Sequence, residues 1–306
     1  MPFHIANLAL SPRAVVQKAN SQEDPYHDDH QLIGDSLLYK LSGQKNSLWN
    51  SIISILQTRA HEFDEGVDDT PWCLLFVKDR MSLAETLGEA NPGSSCHPNQ
   101  MSDLQKRIWL SRIRICYTPT SHHLRAIISA LHIRSGPNKD ANGILPSLDS
   151  EYPDRAPSLI AVYNLVDIID DEQDDNSTRE DIAGKEMTRH DELMHIMAAM
   201  SELQEYFNST MKRSSHLIYY DSKQHHIYHS HVEGQSVFPV ATEIPPEVQM
   251  INTIFHSWTD WIIEAEVVLF DRGDEVEGLE KSCISLVAVP SRRITAAEDL
   301  HWTFQM

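Results

Sequence analysis

The chain alternates short runs of apolar residues with longer segments whose apolar residues recur at helical spacing. Each run predicts a strand, and the central run that ends at Asn164 predicts one covered on both faces. The runs are Leu37–Leu41, Trp72–Val77, Ile113–Tyr117, Leu159–Tyr163 and His216–Tyr220. Helices are predicted near 47–62, 81–90, 121–131, 187–208 and 246–258. This alternation predicts an α/β fold, with a mostly parallel sheet and helices on both faces.

The C-terminal part of the chain has a different pattern. Apolar segments at 262–270, 283–289 and 300–305 follow one another without a helical segment between them. The sequence Asp271-Arg-Gly-Asp274 is typical of a turn after the first of these segments. The pattern predicts an antiparallel C-terminal strand extension of the parallel sheet.

The remaining segments indicate the domain organisation. Residues 1–35 are mixed and polar, and we expect them to form a flexible N-terminal segment. Residues 36–306 contain no internal repeat or linker and predict one α/β domain. An acidic insertion near 170–186 begins with Asp170-Asp-Glu-Gln-Asp-Asp175. Since it lacks the spacing of a calcium-binding EF-hand loop, we interpret it as a solvated loop and not as a metal site.

The overall charge limits the ligands that the chain can bind. Its 306 residues include 45 acidic and 25 basic residues, for a formal charge of −20. Because phosphate binding relies on clustered Lys and Arg, we expect DNA binding only weakly or within a complex. The cysteines form no CxxC pair and are typical of reduced thiols. The N-terminal pattern indicates an intracellular protein that is not secreted, and no segment predicts a membrane span.

The segment between the first strand and the first helix occupies the place of a phosphate-binding loop. A working loop needs the pattern G-x-x-x-x-G-K-[ST], in which the lysine reaches the terminal phosphates. Gly43 can serve as the first glycine, but the second glycine and the lysine–hydroxyl pair are absent, and Lys45 comes too early. With Asn46 and Ser47, these residues form a degenerate nucleotide-binding loop that we expect not to support ATP turnover.

A second departure from nucleotide-binding proteins lies at the end of the central apolar run. An acidic residue often ends such a strand, because ligands bind beyond the carboxyl ends of the strands. Asn164 occupies this position, and a neutral amide is a poorer partner for the shell of a magnesium ion. Asp167 is a weak substitute. We therefore predict no catalytic residues, no cofactor and no metal.

A histidine cluster lies in Lys223-Gln-His-His-Ile-Tyr-His-Ser-His231. The spacing of its histidines is compatible with zinc, but no cysteine lies nearby, and an exposed polar loop is the favoured interpretation. Trp49, Trp258 and Trp261 are candidate interface anchors, although a core position is the favoured interpretation for each.

The order of these elements resembles the RecA/RadA recombinase superfamily. The resemblance rests on the strand–Gly–helix at 37–60, the strand–helix at 113–133, the strand that ends at Asn164 and the helix–strand at 187–220. The segments 255–267, 282–291 and 302–304 look like the closing strands of the eukaryotic recombinase paralogues. The segments Leu159–Ile169 and Arg189–Met194 are most similar to the degenerate paralogues of the Shu complex. The resemblance covers roughly residues 35–306, in pattern more than in identity.

The resemblance implies a RecA-like core without working ATPase motifs. Such a nuclear subunit would assist homologous recombination DNA repair through protein–protein binding to related RecA-like paralogue subunits and a recombinase. Asn164 would stand at the Walker B-like position. The DNA-facing loop would contain Lys223, His225, His226 and Tyr228. Two alternatives stay open: a RecA-like subunit of a tRNA-modifying Elongator-type assembly, and a P-loop-variant ATP-binding enzyme.

Overall fold

The apolar runs build the central sheet of the molecule. The computed structural model describes residues 3–4, 16–18, 31–32, 36–40, 47–62, 70–86, 103–134, 156–170, 179–211, 215–222, 246–270, 281–290 and 300–305. The described strands are β1 (Phe3–His4), β2 (Val16–Lys18), β3 (Gln31–Leu32), β4 (Ser36–Lys40), β5 (Cys73–Val77), β6 (Ile113–Tyr117), β7 (Leu159–Tyr163), β8 (His216–Asp221), β9 (Trp261–Phe270), β10 (Lys281–Pro290) and β11 (Leu300–Gln305).

Six of these strands form an all-parallel sheet, in the order β9-β4-β8-β7-β5-β6. Every residue of β4, β5 and β7 is buried, which explains why these strands are apolar along their whole length. The predicted α/β fold with a parallel sheet is confirmed. The sheet order continues beyond β9 with β10, β11 and β2, while β1 and β3 form a separate pair.

The described helices cover both faces of this sheet. They are α1 (Ser47–Glu62), α2 (Arg80–Thr86), α3 (Asp103–Leu110), α4 (Ser121–Arg134), α5 (Leu165–Ile169), α6 (Arg179–Met211) and α7 (Pro246–Trp258). Residues of α1, α2 and α3 share one core with alternate strand residues such as Leu37 and Tyr39. Residues of α4 to α7 share the other core with residues such as Leu38. The period of two along each strand therefore divides the interior into two layers.

Three helices differ from the prediction. α6 begins at Arg179, whereas the apolar stripe predicts a start at Met187, so the second part of the acidic insertion has a helical backbone. Polar residues ahead of a core stripe give no periodic signal. α3 and α5 were not predicted. α5 continues the apolar run of β7, and periodicity alone does not separate a buried strand from a short buried helix.

Some predicted segments lie outside the described residues. They include residues 171–178 of the acidic insertion, residues 87–90 of the predicted helix 81–90 and the predicted turn 271–274. They also include most of the predicted flexible segment 1–35, of which only β1, β2 and β3 are described. Flexibility of the N-terminal segment stays a prediction.

Candidate functional site

Three of the candidate segments start from neighbouring strand ends. In the register of the sheet, Lys40 at the end of β4 pairs with Asp221 at the end of β8. The backbone N–H of Asn164, directly after β7, donates to the carbonyl of Tyr220 in β8 at 2.8 Å. The carboxyl ends of β4, β8 and β7 therefore lie side by side, at the edge where open α/β sheets bind ligands.

The described residues include only part of this predicted site. Ser47 is the first residue of α1, and Asn164 follows β7. The other predicted loop residues lie outside the described part of the chain, namely Gly43, Lys45, Asn46, Lys223, His225, His226 and Tyr228. Their roles stay predictions.

Asn164 has a special backbone conformation. Its φ and ψ angles are 50° and 59°, and it is the non-glycine residue with positive φ in the described part of the chain. Asparagine adopts this left-handed conformation more readily than most residues. It ends β7, and α5 begins at the next residue.

The side chain of Asn164 joins β7 to the end of β8. Its Oδ1 accepts hydrogen bonds from the backbone N–H of Ser222 at 2.9 Å and from the Ser222 hydroxyl at 3.1 Å. Its Nδ2 lies 2.9 Å from the same hydroxyl oxygen, to which it donates. Both polar atoms of the amide therefore have partners within the protein. This amide serves as a brace between two strands.

A small cavity lies beside this brace. It has a volume of about 10 Å³, and its lining includes Asn164, Asp167, Tyr219 and Asp221. A cavity of this size has room for about one water molecule. Asp167, the weak substitute for a metal-associated aspartate, therefore lines the same small cavity as Asn164.

Lys40 is a buried cation at the same edge of the sheet. The sequence pattern did not indicate this residue. Its side chain is 7% exposed, and its Nζ donates to Oδ1 of Asn252 in α7 at 3.4 Å. Leu38, two residues earlier in β4, belongs to the core on the α7 side of the sheet. The Lys40 ammonium therefore lies on the face opposite to α1, away from the helix that a phosphate-binding loop would precede.

An ion pair and a hydrogen bond connect Asp170, directly after α5, to α6 and to the end of β5. The Asp170 carboxylate forms a two-pronged ion pair with Arg189 of α6, in which Nε and Nη2 lie 2.6 Å from the two carboxylate oxygens. Lys78, directly after β5, donates through Nζ to the Asp170 carbonyl at 3.1 Å. The first carboxylate of the acidic run is thus part of the fold, because it connects α5 to α6.

The described residues contain no assembled metal site. Among them, no group of three or more His, Cys, Asp or Glu side chains is arranged to hold a metal ion. No helix in the described part of the chain is both long enough and apolar enough to cross a membrane.

The tryptophans occupy the positions favoured by the sequence. Trp49 and Trp261 are buried, at 5% and 3% exposed, and Trp258 packs against the core while partly exposed. The indole N–H of Trp49 donates to the Thr86 hydroxyl at 2.9 Å, which fastens α2 to α1. Trp49 and Trp261 are therefore core residues and do not form an accessible interface.

We predict that two cysteines react slowly with alkylating reagents in the folded protein. Cys73 and Cys116 are free thiols, and burial raises the pKa of both, that of Cys116 to about 11. Because the thiolate is the nucleophile, both should react with iodoacetamide at pH 8 roughly 100-fold more slowly than glutathione does. Mass spectrometry of peptides from native and urea-unfolded protein measures this. Native rates equal to that of glutathione would contradict the burial of these thiols.

Sequence reasoning found Asn164 but missed its partner Ser222. The signal for Ser222 was its place just after an apolar strand, yet which strand lies next to β7 depends on the topology of the sheet.

No protein-family model matches the chain, and no curated protein matches it.

Proposed function

We propose that this chain is a non-catalytic, RecA-like subunit that assists homologous recombination DNA repair through protein–protein binding. The observation that carries the proposal is the state of Asn164. At the strand end where a nucleotide-binding protein would carry an acidic residue, both polar atoms of this neutral amide form hydrogen bonds with Ser222. A side chain used in this way is not available to hold the shell of a magnesium ion.

Two features of the sheet support the RecA-like part of the proposal. β4 precedes the degenerate loop, and β7 precedes Asn164. β8 lies between these two strands, so their carboxyl ends lie at the same edge of the sheet. The proposed antiparallel C-terminal extension is supported by the backbone register, in which Cys283 lies opposite Val268 on β9 and Gln305 on β11. Fold likeness alone does not give function, so the repair role rests on the sequence resemblance.

The proposed partners are related RecA-like paralogue subunits and a recombinase, in the nucleus. The formal charge of −20 supports a protein partner over a long stretch of DNA, because duplex binding needs clustered positive charge. DNA contact within the complex would involve the loop that contains Lys223, His225, His226 and Tyr228.

An ATP assay tests the non-catalytic part of this proposal. We expect the purified chain to bind no radiolabelled ATP with magnesium and to hydrolyse none above a buffer control. Asn164→Asp supplies the missing carboxylate and should stay equally inactive, because the loop around Gly43 and Lys45 is also degenerate. ATP binding by the native chain that is lost in Lys45→Ala would instead establish the P-loop-variant ATP-binding enzyme.

A further inference from the structure

In the part of the chain whose burial is described, exposed large apolar side chains concentrate at one end of the central sheet. Within the same described residues, Met194 on α6 and Met250 on α7 are also exposed. Those at the sheet end, together called the β6 surface, are Met81 (74% exposed), Leu104 (69%), Ile108 (46%), Ile115 (38%) and Tyr117 (47%). Scattered single apolar residues are normal on a surface, but a group such as this one is typical of an interaction site.

The strand residues of this surface lie on the face that α2 and α3 partly cover. Ile113 is buried in the same core as Leu83 of α2, and Trp109 and Leu110 of α3 pack against that core. Side chains alternate along a strand, so Ile115 and Tyr117 point to the same face as Ile113. Among the described residues, the helix layer therefore covers the start of β6 and leaves Ile115 and Tyr117 exposed.

The charge around the β6 surface is opposite to that of the whole chain. Residues 103–112, which form α3 and the turn into β6, contain three basic residues and one acidic residue, in a chain with 45 acidic and 25 basic residues. Arg107 is exposed and lies between Leu104 and Ile108 in α3. The Arg112 guanidinium carbon lies 4.5 Å from the centre of the Trp109 ring, which fixes the position of this cation. The apolar group thus has a cationic rim.

We propose that the β6 surface binds an amphipathic helix of a partner protein, with acidic residues beside its apolar stripe. Such a helix would extend the layer of α2 and α3 and cover Ile115 and Tyr117. Leu104 and Ile108 are four residues apart and form the kind of ridge that packs against a neighbouring helix. The inference goes beyond the proposed function, because it assigns the partner's chemistry whichever family the partner belongs to.

Two other occupants fit these observations less well. A nucleic acid would pair with Arg107 and Arg112 but would leave the apolar side chains Met81, Leu104 and Ile108 without a matching surface. A second copy of the chain, placed symmetrically, would bring two cationic rims together. An acidic amphipathic helix satisfies both the charge and the apolar area.

Two synthetic peptides test the proposal. Both peptides have leucines at helical spacing and a fluorescent label. All of the remaining positions are glutamate in one peptide and lysine in the other. Fluorescence anisotropy should give binding of the glutamate peptide to the full chain at least about tenfold tighter than that of the lysine peptide. The double variant Leu104→Ser/Ile108→Ser should lose about tenfold, and Arg107→Glu/Arg112→Glu should reverse the preference. Met194→Ser, an exposed apolar residue on α6, is the matched control and should bind as the native chain does.

Several results would overturn the proposal. The first is equal binding of both peptides, and the second is peptide binding that Leu104→Ser/Ile108→Ser leaves unchanged. The third is preferential binding of a labelled single-stranded oligonucleotide. The fourth is self-association of the chain in sedimentation that Leu104→Ser/Ile108→Ser abolishes. Leu104 and Ile108 are exposed, so their variants should keep the native melting temperature. The peptide test does not depend on the family of the natural partner, so its outcome is separate from that of the recombination proposal.

Discussion

Replacing Asn164 with alanine is expected to lower the free energy of unfolding by about 3 kcal/mol. The substitution removes the hydrogen bonds to Ser222. The partly buried backbone N–H of Ser222 is left without this acceptor, which costs roughly 1–3 kcal/mol. Alanine in the left-handed conformation that Asn164 adopts costs roughly 1 kcal/mol more. Urea denaturation followed by circular dichroism measures the difference.

Two controls separate these contributions. Asn164→Gly loses the same hydrogen bonds but tolerates the positive φ, so it should be about 1 kcal/mol more stable than the alanine variant. Asn50→Ala changes an exposed asparagine on α1 and should alter stability by less than about 0.5 kcal/mol. If Asn164→Ala were as stable as Asn50→Ala, Asn164 would not be a brace, and a functional reason for this residue would be needed.

Removing the Ser51 hydroxyl is expected to cost about 2 kcal/mol. Ser51 of α1 and Tyr220 of β8 are each 1% exposed, and their hydroxyl oxygens lie 2.9 Å apart. Burial raises the pKa of Tyr220 well above its usual value, so this phenol stays protonated and hydrogen bonding. Ser51→Ala leaves the buried hydroxyl without this partner, which costs more than a hydrogen bond contributes on balance.

A double-mutant cycle tests this pair. Tyr220→Phe alone should cost about 1–2 kcal/mol, and the double variant should cost little more than either single change, because it leaves no unpaired hydroxyl. The stabilities come from the same urea transitions. Strictly additive losses would mean that the two hydroxyls do not interact. The bond matters for the site, because it fastens the start of α1 to the strand that ends at Asp221.

Much of the fold was predictable because burial on both faces leaves a plain record in the sequence. β6 and α4 are found where the residue pattern places them, and α1 has the predicted bounds Ser47–Glu62. The start of α6 was not predictable, since residues 179–186 carry no apolar stripe. α5 was hidden because its residues other than Asp167 continue the apolar run of the strand before them.

The candidate site was predictable only in part. The sequence identified Asn164 as an unusual residue at a strand end, since the strand and its last residue are local features. It did not identify Ser222, 58 positions away, because that contact depends on β8 lying between β4 and β7. The buried Lys40 was missed for a similar reason. Its partner Asn252 is on α7, and nothing local in β4 indicates on which face that helix packs.

Affinity purification of the tagged chain from its own cells, followed by mass spectrometry, tests most directly that this is a subunit of a recombination complex. The proposed function predicts recovery of related RecA-like paralogue subunits or a recombinase, with no nucleotide in the purified protein. Recovery of Elongator subunits instead, or of the chain alone with bound nucleotide, would contradict it.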